Sequence, residues 1–463
     1  MEKVIIFGAS VGGKKTYKML HSIGLNCEYF VDNSEKKWGS YFEGIEIKPP
    51  VILRKNLADI VIASVYYEEI ELQLRKMGIS PDRIKTRESY VKNFLDQRME
   101  KYSDLFGTVK RGKQKEIIID LDHGIQVGGI ESWAYTVVKG CIKEGIPAMI
   151  YTDMEEKEIP FHLEEYTKHF NVSKENFERE ILSIAKDMQG YLPFVFIANW
   201  MEQSFWAAYI LKNIYPQDVS ILGMVHHDMR CYYKRNQYIQ NCVDSFLCVS
   251  SDTRKKMIEK YEISEKKVYY KAVPIDVVNI SKEENEKFTI GIGARLDKAK
   301  KRVDLIIPLI NELEALGTEY QMVIAGDGSF YKTLKAFIDD SDLSSKVYLL
   351  GELPVEKMRE FWMGVDVVVS TSDSEGMGLS ILEGMGAGAV PVVTNTAGIT
   401  EFVNEANGYV VEINDIKTMA SHLKELSENR EKVIRMGKNA RKTIDDKCSL
   451  KGYIDYISKK SVE

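Results

Sequence analysis

Two glutamates, Glu375 and Glu383, stand eight residues apart in the stretch SDSEGMGLSILEGMGAGAVPVVT, Ser372 to Thr394. Just upstream, VDVVVSTS (Val365 to Ser372) reads as a continuous apolar strand of the kind buried on both faces of a parallel sheet. The turn EGMG then opens a short helix. Unpaired N–H groups at a helix N-terminus favour an anion, and glycines let that anion come close to the main chain. A carboxylate accepts two hydroxyl hydrogen bonds at once, and charge-assisted bonds are the stronger kind. Carboxylates on both sides of an anion site therefore suit a phosphorylated sugar or nucleoside.

A second group of residues could serve the same ligand. In GARLDKAKKRVDLI, Arg295 and then Lys298, Lys300, Lys301 and Arg302 follow a strand end. Cations fixed there would meet the charge that builds up on a departing diphosphate, commonly the largest catalytic contribution. Lys298 and Arg302 read better as a solvated helix face, so Arg295 and Lys301 are the choices, with Lys300 close behind. Gly326 in VIAGDGSF is either a plain tight turn or a point of close approach to a ligand. Leu350 and Gly351, ending the strand in KVYLLGELP, offer backbone groups to a nucleobase edge, and Gly398 and Ile399 are further lining candidates. Earlier in the chain, Gly128 and Gly129 precede a helix starting near Ile130, another anion or acceptor site. His226, His227 and Asp228 follow the strand SILGMV. With seven histidines in the chain the doublet is unusual, although a histidine is more often packed than catalytic. Trp133, Trp200 and Trp206 fall near the same side and could stack on sugars, with core packing as the default. No set of residues has metal-ligand spacing.

These residues need a scaffold of alternating strands and helices. At 463 residues the chain implies two or three domains, and 44% hydrophobic with 29% charged residues is a globular composition. Six scattered cysteines without a C-x-x-C pair indicate neither a disulfide framework nor a cysteine zinc site. A net charge of −6 gives no electrostatic case for nucleic acid. There is no apolar run of about 18 residues, and MEKVIIFGAS reads as a strand entering a turn rather than a signal peptide, so a cytoplasmic location is expected. Three βα-repeating segments succeed one another, each with a glycine turn after its first strand. From Pro81 to about Lys115 the sequence turns charged and helical with no further strand expected, which suits a linker. Ligands of doubly wound sheets bind beyond the carboxyl ends of the strands, so the site belongs in a cleft between the second and third segments.

Taken in order, GGIESW, VHHD, VSSDTRKKM, KAVPID, GARLDKAKKRVD, AGDGSF, LLGELP and EGMGLSILEGMGAGAVPVV resemble the retaining nucleotide-sugar glycosyltransferases of the GT-B fold, family 4, over roughly Ile117 to Cys448. The resemblance implies an α/β chain of two Rossmann-like domains facing a cleft, an acceptor side over 115–278 and a donor side over 279–445. A smaller Rossmann-like domain over 1–88, a helical linker over 89–114 and a final helix over 446–463 returning to the acceptor side complete it. Glu375 would hold the donor sugar's hydroxyls, with Gly376, Met377, Gly378 and Leu379 around the sugar and diphosphate. Glu383 would bind the ribose, Arg295 and Lys301 would clamp the diphosphate, and His226 would touch the transferred sugar. His227, Asp228 and Trp200 are acceptor-side candidates. The lysine spacing departs by one residue from the commonest pattern, leaving Lys300 and Lys301 both open. The family needs no metal or other cofactor. The partners implied are a nucleoside-diphosphate sugar, a UDP-sugar favoured, and a glycan, lipid-linked or polymer acceptor in bacterial surface polysaccharide assembly. Contact with the inner face of the membrane and a homo-oligomer are left open. The alternative is a non-catalytic scaffold subunit of the same fold.

The first segment resembles the small Rossmann-like domains attached to sugar-modifying bacterial enzymes, through its FGAS turn and VDN strand end. Gly8, Ser10 and Gly13 occupy the positions of a dinucleotide fingerprint, but serine replaces the middle glycine that admits a pyrophosphate. Asp32 could accept a ribose hydroxyl, and a purely structural role is at least as well supported. A dehydrogenase reading fails for want of a matching constellation.

Overall fold

The computed structural model describes residues 3–460 apart from 65, 110, 122–128, 154–160, 171–175, 200–201, 227–229, 277–285, 299–300, 376 and 397. Its strands form three sheets. The first comprises β1 (Lys3–Phe7), β2 (Asn26–Val31), β3 (Tyr41–Phe42), β4 (Ile45–Lys48), β5 (Asp59–Ile62) and β6 (Ile84–Lys85), in the order β3-β4-β2-β1-β5-β6. The second has β7 (Glu116–Asp120), β8 (Ala148–Thr152), β9 (Thr167–His169), β10 (Phe194–Ala198), β11 (Val219–Val225), β12 (Ser245–Cys248) and β13 (Val268–Tyr270), ordered β13-β12-β11-β10-β7-β8-β9. The third has β14 (Thr289–Gly293), β15 (Gln321–Ala325), β16 (Val347–Gly351), β17 (Val367–Ser370), β18 (Val390–Thr394) and β19 (Tyr409–Val411), ordered β16-β15-β14-β17-β18-β19. Every described pairing is parallel except β3 with β4.

Each sheet has one point where the strand order reverses: β1/β5, β7/β10 and β14/β17. Loops leaving the carboxyl ends there diverge to opposite faces and open a crevice. Central strands such as FVFIA in β10 are buried at every position, as a sheet covered by helices on both faces requires. In β14 two glycines interrupt the apolar run for a packing reason. A Cβ on Gly291 would meet Val365 at 2.5 Å, and one on Gly293 would meet Trp362 at 2.7 Å. Their absence lets Val365 and Trp362 pack directly against the strand.

Between Pro81 and Lys115 the structure departs from the strandless connector expected. Ile84–Lys85 is the edge strand β6, pairing with β5, too short to leave a periodic signal. The helices Arg87–Asp96 and Met99–Phe106 bury Val91, Leu95, Tyr102 and Phe106 in the core under the second sheet. At their start a buried ion network ties the first domain to the second. Arg87 donates to Glu88 at 2.9 Å and to Glu202 at 2.8 Å, while Arg235 donates to Glu88 at 3.2 Å.

One apolar cluster runs across the second and third sheets and contains Trp133, Val273, Met377, Ile381 and Tyr453. The final helix, Leu450–Lys460, lies on the helix Gly129–Lys143, where a Cβ on Gly140 would come within 2.6 Å of Ile454. Trp133 Nε1 donates to the Tyr453 hydroxyl at 3.2 Å. Trp133 and Trp206 are each 1% exposed, so both are core residues and neither is a sugar platform.

Candidate active site

The β14/β17 reversal places Arg295 after one strand and Glu375 after the other. Lys301 Nζ donates to both oxygens of Glu375, at 2.8 and 2.9 Å, and Ser372 Oγ donates to Oε1 at 2.6 Å. The Glu375 side chain is 10% exposed and that of Lys301 30%. This pair is built by the polar residues that end β17. The buried Thr371 hydroxyl donates to the carbonyls of Lys301 and Arg302 at 3.2 and 3.0 Å, pinning a turn in which Arg302 has a φ of +45°. Thr394, on the neighbouring strand, donates to the Ser372 carbonyl. Thr371, Ser372 and Thr394 escaped the sequence reading, although the run STSDSE directly after an apolar strand was the available signal.

Gly378 begins the helix Leu379–Gly386 at a φ of +65°, a left-handed conformation that favours glycine. Among the described residues no side chain caps this helix and its first turn holds no acidic residue; Ile381 N–H turns back to the Gly378 carbonyl at 2.8 Å, so the N–H groups of Leu379 and Ser380 are the ones offered to an anion. The Leu379 side chain stands 3.8 to 3.9 Å from where a Cβ on Gly129 would lie, bringing the N-terminus of the Gly129–Lys143 helix to the same place. Met377 is buried, and its sulfur accepts from Val273 N–H at 3.4 Å. Both helix N-termini thus meet at one crevice.

Glu383 projects from the second turn of the Leu379–Gly386 helix. Burial pushes its carboxyl up to about 7, opposed by a hydrogen bond from Trp362; Nε1 donates to Oε2 at 3.2 Å. Trp362 can stand there because Gly293 makes room for it. Arg295 is paired at 2.9 Å with Asp297 and is 67% exposed. Asp297 in turn accepts from Ser329 N–H and Oγ at 3.2 and 2.9 Å, and those bonds hold its carboxyl below the usual range. The Gly-Asp-Gly turn thereby orients Arg295. Gly326, with φ +143°, lies so close to β14 that a Cβ would sit 1.9 Å from the Ala294 carbonyl, and its N–H donates to the Gly351 carbonyl at 2.7 Å. That carbonyl is therefore engaged, while Leu350 beside it is 44% exposed. Lys298 lies over the Phe330 ring at 5.1 Å, and Arg302 pairs with Asp304 at 3.2 Å.

Across the crevice, His226 follows β11. Asn199 Nδ2 donates to the Asp120 carbonyl at 2.7 Å, which fixes the amide and turns its oxygen toward His226. His226 Nε2 lies 2.7 Å from that oxygen and is the protonated nitrogen by this arrangement. The ring packs edge-on against Trp133 at 4.7 Å. Gly398 N–H donates to Asp252 at 3.3 Å, and Glu401 accepts from Ser251 N–H and Oγ at 2.9 and 2.6 Å. Gly398 thus helps to latch the two domains. Lys300, Gly376, Gly128, His227, Asp228 and Trp200 lie outside the described residues. Among the described residues no group of three or more His, Cys, Asp or Glu is placed to hold a metal ion.

Residues 275–443, which contain Arg295, Lys301, Glu375 and Glu383, match the family described as glycosyl transferases group 1. These residues form a glycosyl transferases group 1 domain. Residues 1–85 match a separate family, C2185-like, N-terminal, so that domain carries an added one ahead of it. It is 27% identical to an uncharacterized glycosyltransferase of Methanocaldococcus jannaschii over 50% of this chain and 60% of that one. It is 25% identical to the poly(ribitol-phosphate) alpha-N-acetylglucosaminyltransferase of Staphylococcus aureus over 52% of this chain and 49% of that one. The chain thus spans between half and 60% of the length of these curated relatives. Among solved structures, TarM superposes with a TM-score of 0.62 at 15% identity, covering 77% of this chain and 100% of TarM. Anabaena HepE in complex with UDP and glucose gives 0.60 at 16% identity, covering 75% and 99%. The second and third sheets therefore form a GT-B fold.

Proposed function

We propose that the protein is a retaining, metal-independent hexosyltransferase that moves a sugar from a UDP-sugar to a glycan, lipid-linked or polymer acceptor. The observation that carries this reading is the Lys301–Glu375–Ser372 cluster beside two convergent helix N-termini. The diphosphate is received at the uncapped helix N-terminus of Leu379–Gly386, with Arg295 and Lys301 as countercharges. Glu375, preoriented by Ser372, accepts hydroxyls of the donor sugar, and Lys301 shifts its charge from that carboxylate toward the leaving phosphate. Glu383 accepts the ribose hydroxyls, and His226 contacts the transferred sugar. The acceptor oxygen bonds to the anomeric carbon on the face from which the diphosphate departs, and the acceptor's proton passes to a diphosphate oxygen. No carboxylate acts as a glycosidase nucleophile in this scheme.

UDP as the carrier and a surface polymer as the acceptor draw on the relatives: HepE was solved with UDP and glucose, and the S. aureus relative is named for transfer to poly(ribitol-phosphate). Work at the inner face of the cell membrane fits such acceptors; among the described residues no helix is long and apolar enough to cross a membrane. A scaffold role leaves the Lys301–Glu375–Ser372 cluster without a purpose. Incubation with UDP-, GDP- and ADP-sugars, with and without EDTA, is expected to release UDP from at least one UDP-sugar at a rate EDTA leaves unchanged. Product NMR should show the donor's anomeric configuration. No donor hydrolysis or transfer from any of the three carriers would refute the proposal.

Glu383 sets a pH dependence. A ribose diol donates to the ionised carboxylate, and burial makes that form scarce below about pH 7. Donor affinity is expected to weaken as pH falls through about 7, and the Glu383→Gln variant should lose this titration along with affinity. Calorimetry between pH 5.5 and 8.5 checks it; those limits are roughly one and a half units either side of the raised value.

A further inference from the structure

The third strand-order reversal, between β1 and β5, lies outside the transfer site and opens into a cavity of about 780 Å³. Its walls come from two domains: Gly8, Ala63 and Ser64 at the carboxyl ends of β1 and β5, and Tyr232, Lys234 and Arg235 on the helix Arg230–Ile239. The buried Arg87, Glu88 and Glu202 network closes one end. A cavity of this size at a switch point is within the range of small-molecule sites.

Its chemistry is that of an anion site. The helix Val11–Ser22 begins at the cavity with Ser10 making no side-chain cap and no acidic residue in its first turn, which leaves its N–H groups for a ligand. Lys15 lies just beyond that turn, lines the cavity and has no acidic partner among the described residues. Two buried polar side chains add to this. Thr16 lines the cavity at 4% exposure. Tyr67, 6% exposed on the same wall, has no hydrogen-bond partner for its hydroxyl, with the Tyr238 phenol as a polar neighbour. Folding a protein around an unmatched hydroxyl such as that of Tyr67 costs free energy unless something satisfies it.

Of the two roles open to Asp32, ribose acceptor or structural brace, the geometry favours the second. Its carboxylate accepts from Ala9 N–H at 3.0 Å, Ser34 N–H at 2.9 Å and Lys37 Nζ at 2.8 Å. Burial pushes its pKa up, and these bonds outweigh that and hold it down. Asp32 braces the turn rather than a ribose. Of the other lining carboxylates, Glu88 and Glu202 are taken by Arg87 and Arg235, while Glu69 stands on the helix Tyr67–Lys76; the start of the Val11–Ser22 helix with Lys15 is the part of the wall that suits a phosphate.

We infer that this cavity binds a phosphate-bearing small metabolite, its phosphate at Ser10, Lys15 and Thr16 and its organic part extending toward Tyr66 and the Arg230–Ile239 helix. The volume exceeds what inorganic phosphate fills, and the shared walls mean that the ligand joins the added domain to the acceptor-side domain. The site stands independently of the transfer reaction.

The test uses the full chain carrying Lys301→Ala, which weakens nucleotide binding at the transfer site. Calorimetry is run with inorganic pyrophosphate, AMP, UMP and glucose 1-phosphate. At least one is expected to bind one-to-one, with affinity falling tenfold or more on adding Lys15→Glu and also falling on adding the near-isosteric Thr16→Val. Failure of all four to bind, or binding that neither added substitution weakens, overturns the inference. Because Lys15 is exposed, its substitution tests the ligand rather than the fold.

Discussion

Lys301→Ala is expected to lower kcat by about 10²–10³-fold, the range found when one preorganised charge-stabilising group is removed. The side chain has two tasks in the structure. It neutralises Glu375 in the resting protein, through bonds of 2.8 and 2.9 Å to both oxygens, and in the proposed reaction it joins Arg295 as a countercharge to the departing diphosphate. Glu375→Gln should produce a fall of similar size, because the glutamine can no longer accept two hydroxyls with full negative charge. The double variant should be little worse than the more damaged single one, since groups acting as a unit are not additive. Measuring UDP release and the unfolding midpoint together separates catalysis from stability: Lys301→Ala leaves Glu375 with Ser372 as its partner among the described residues, and some loss of stability is expected with it. A Lys301→Ala protein that retained wild-type turnover would remove the central member of the site.

Arg87→Ala should destabilise the folded chain by about 3–5 kcal/mol, the cost of breaking a buried ion pair from one side. Glu88 and Glu202 would lose that cation and retain Arg235, at 3.2 and 3.8 Å. Burial alone pushes the Glu88 carboxyl up; Arg87 and Arg235 outweigh it and hold it below the ordinary range. A carboxyl depressed in the folded state contributes stability that is present above its unfolded pKa and lost as pH falls through the folded value. The difference between wild type and Arg87→Ala in urea unfolding is therefore expected to be full at neutral pH and to shrink in acid. Adding Glu202→Gln should restore part of the loss by removing one of the two buried carboxylates that Arg87 had balanced. An Arg87→Ala chain as stable as the wild type would show that the added domain is held by other contacts.

How far the sequence alone led can be judged from particular residues. The apolar pattern placed a strand within Val365 to Ser372 and another ending at Gly351, observed as Val367–Ser370 and Val347–Gly351, because buried parallel strands are continuous apolar runs between glycine turns. It missed the hairpin β3–β4 and the edge strand β6, whose few residues carry no period. Glu375 and Lys301 were selected from residue type and position relative to a strand end, 74 residues apart. Nothing in their spacing stated that they touch, since that contact is made by two strands on either side of a chain reversal and by Thr371 pinning the intervening turn. Ser372, Asn199 and Trp362 were not selected, because serine, asparagine and tryptophan are common and only their partners make them informative.

The sequence by itself determined the alternation of strand and helix, the glycine turns at strand ends and the residue types at the transfer site. These follow from local propensity and the apolar pattern, which neighbours along the chain decide. The tertiary structure alone decided that Lys301 rests on Glu375, that Glu383 is buried enough to titrate near 7, and that Asp32 braces a turn. It also decided that the added domain meets the Arg230–Ile239 helix around a polar cavity. Electrostatic and desolvation energies depend on distance and burial between groups far apart in sequence, and folding sets those distances.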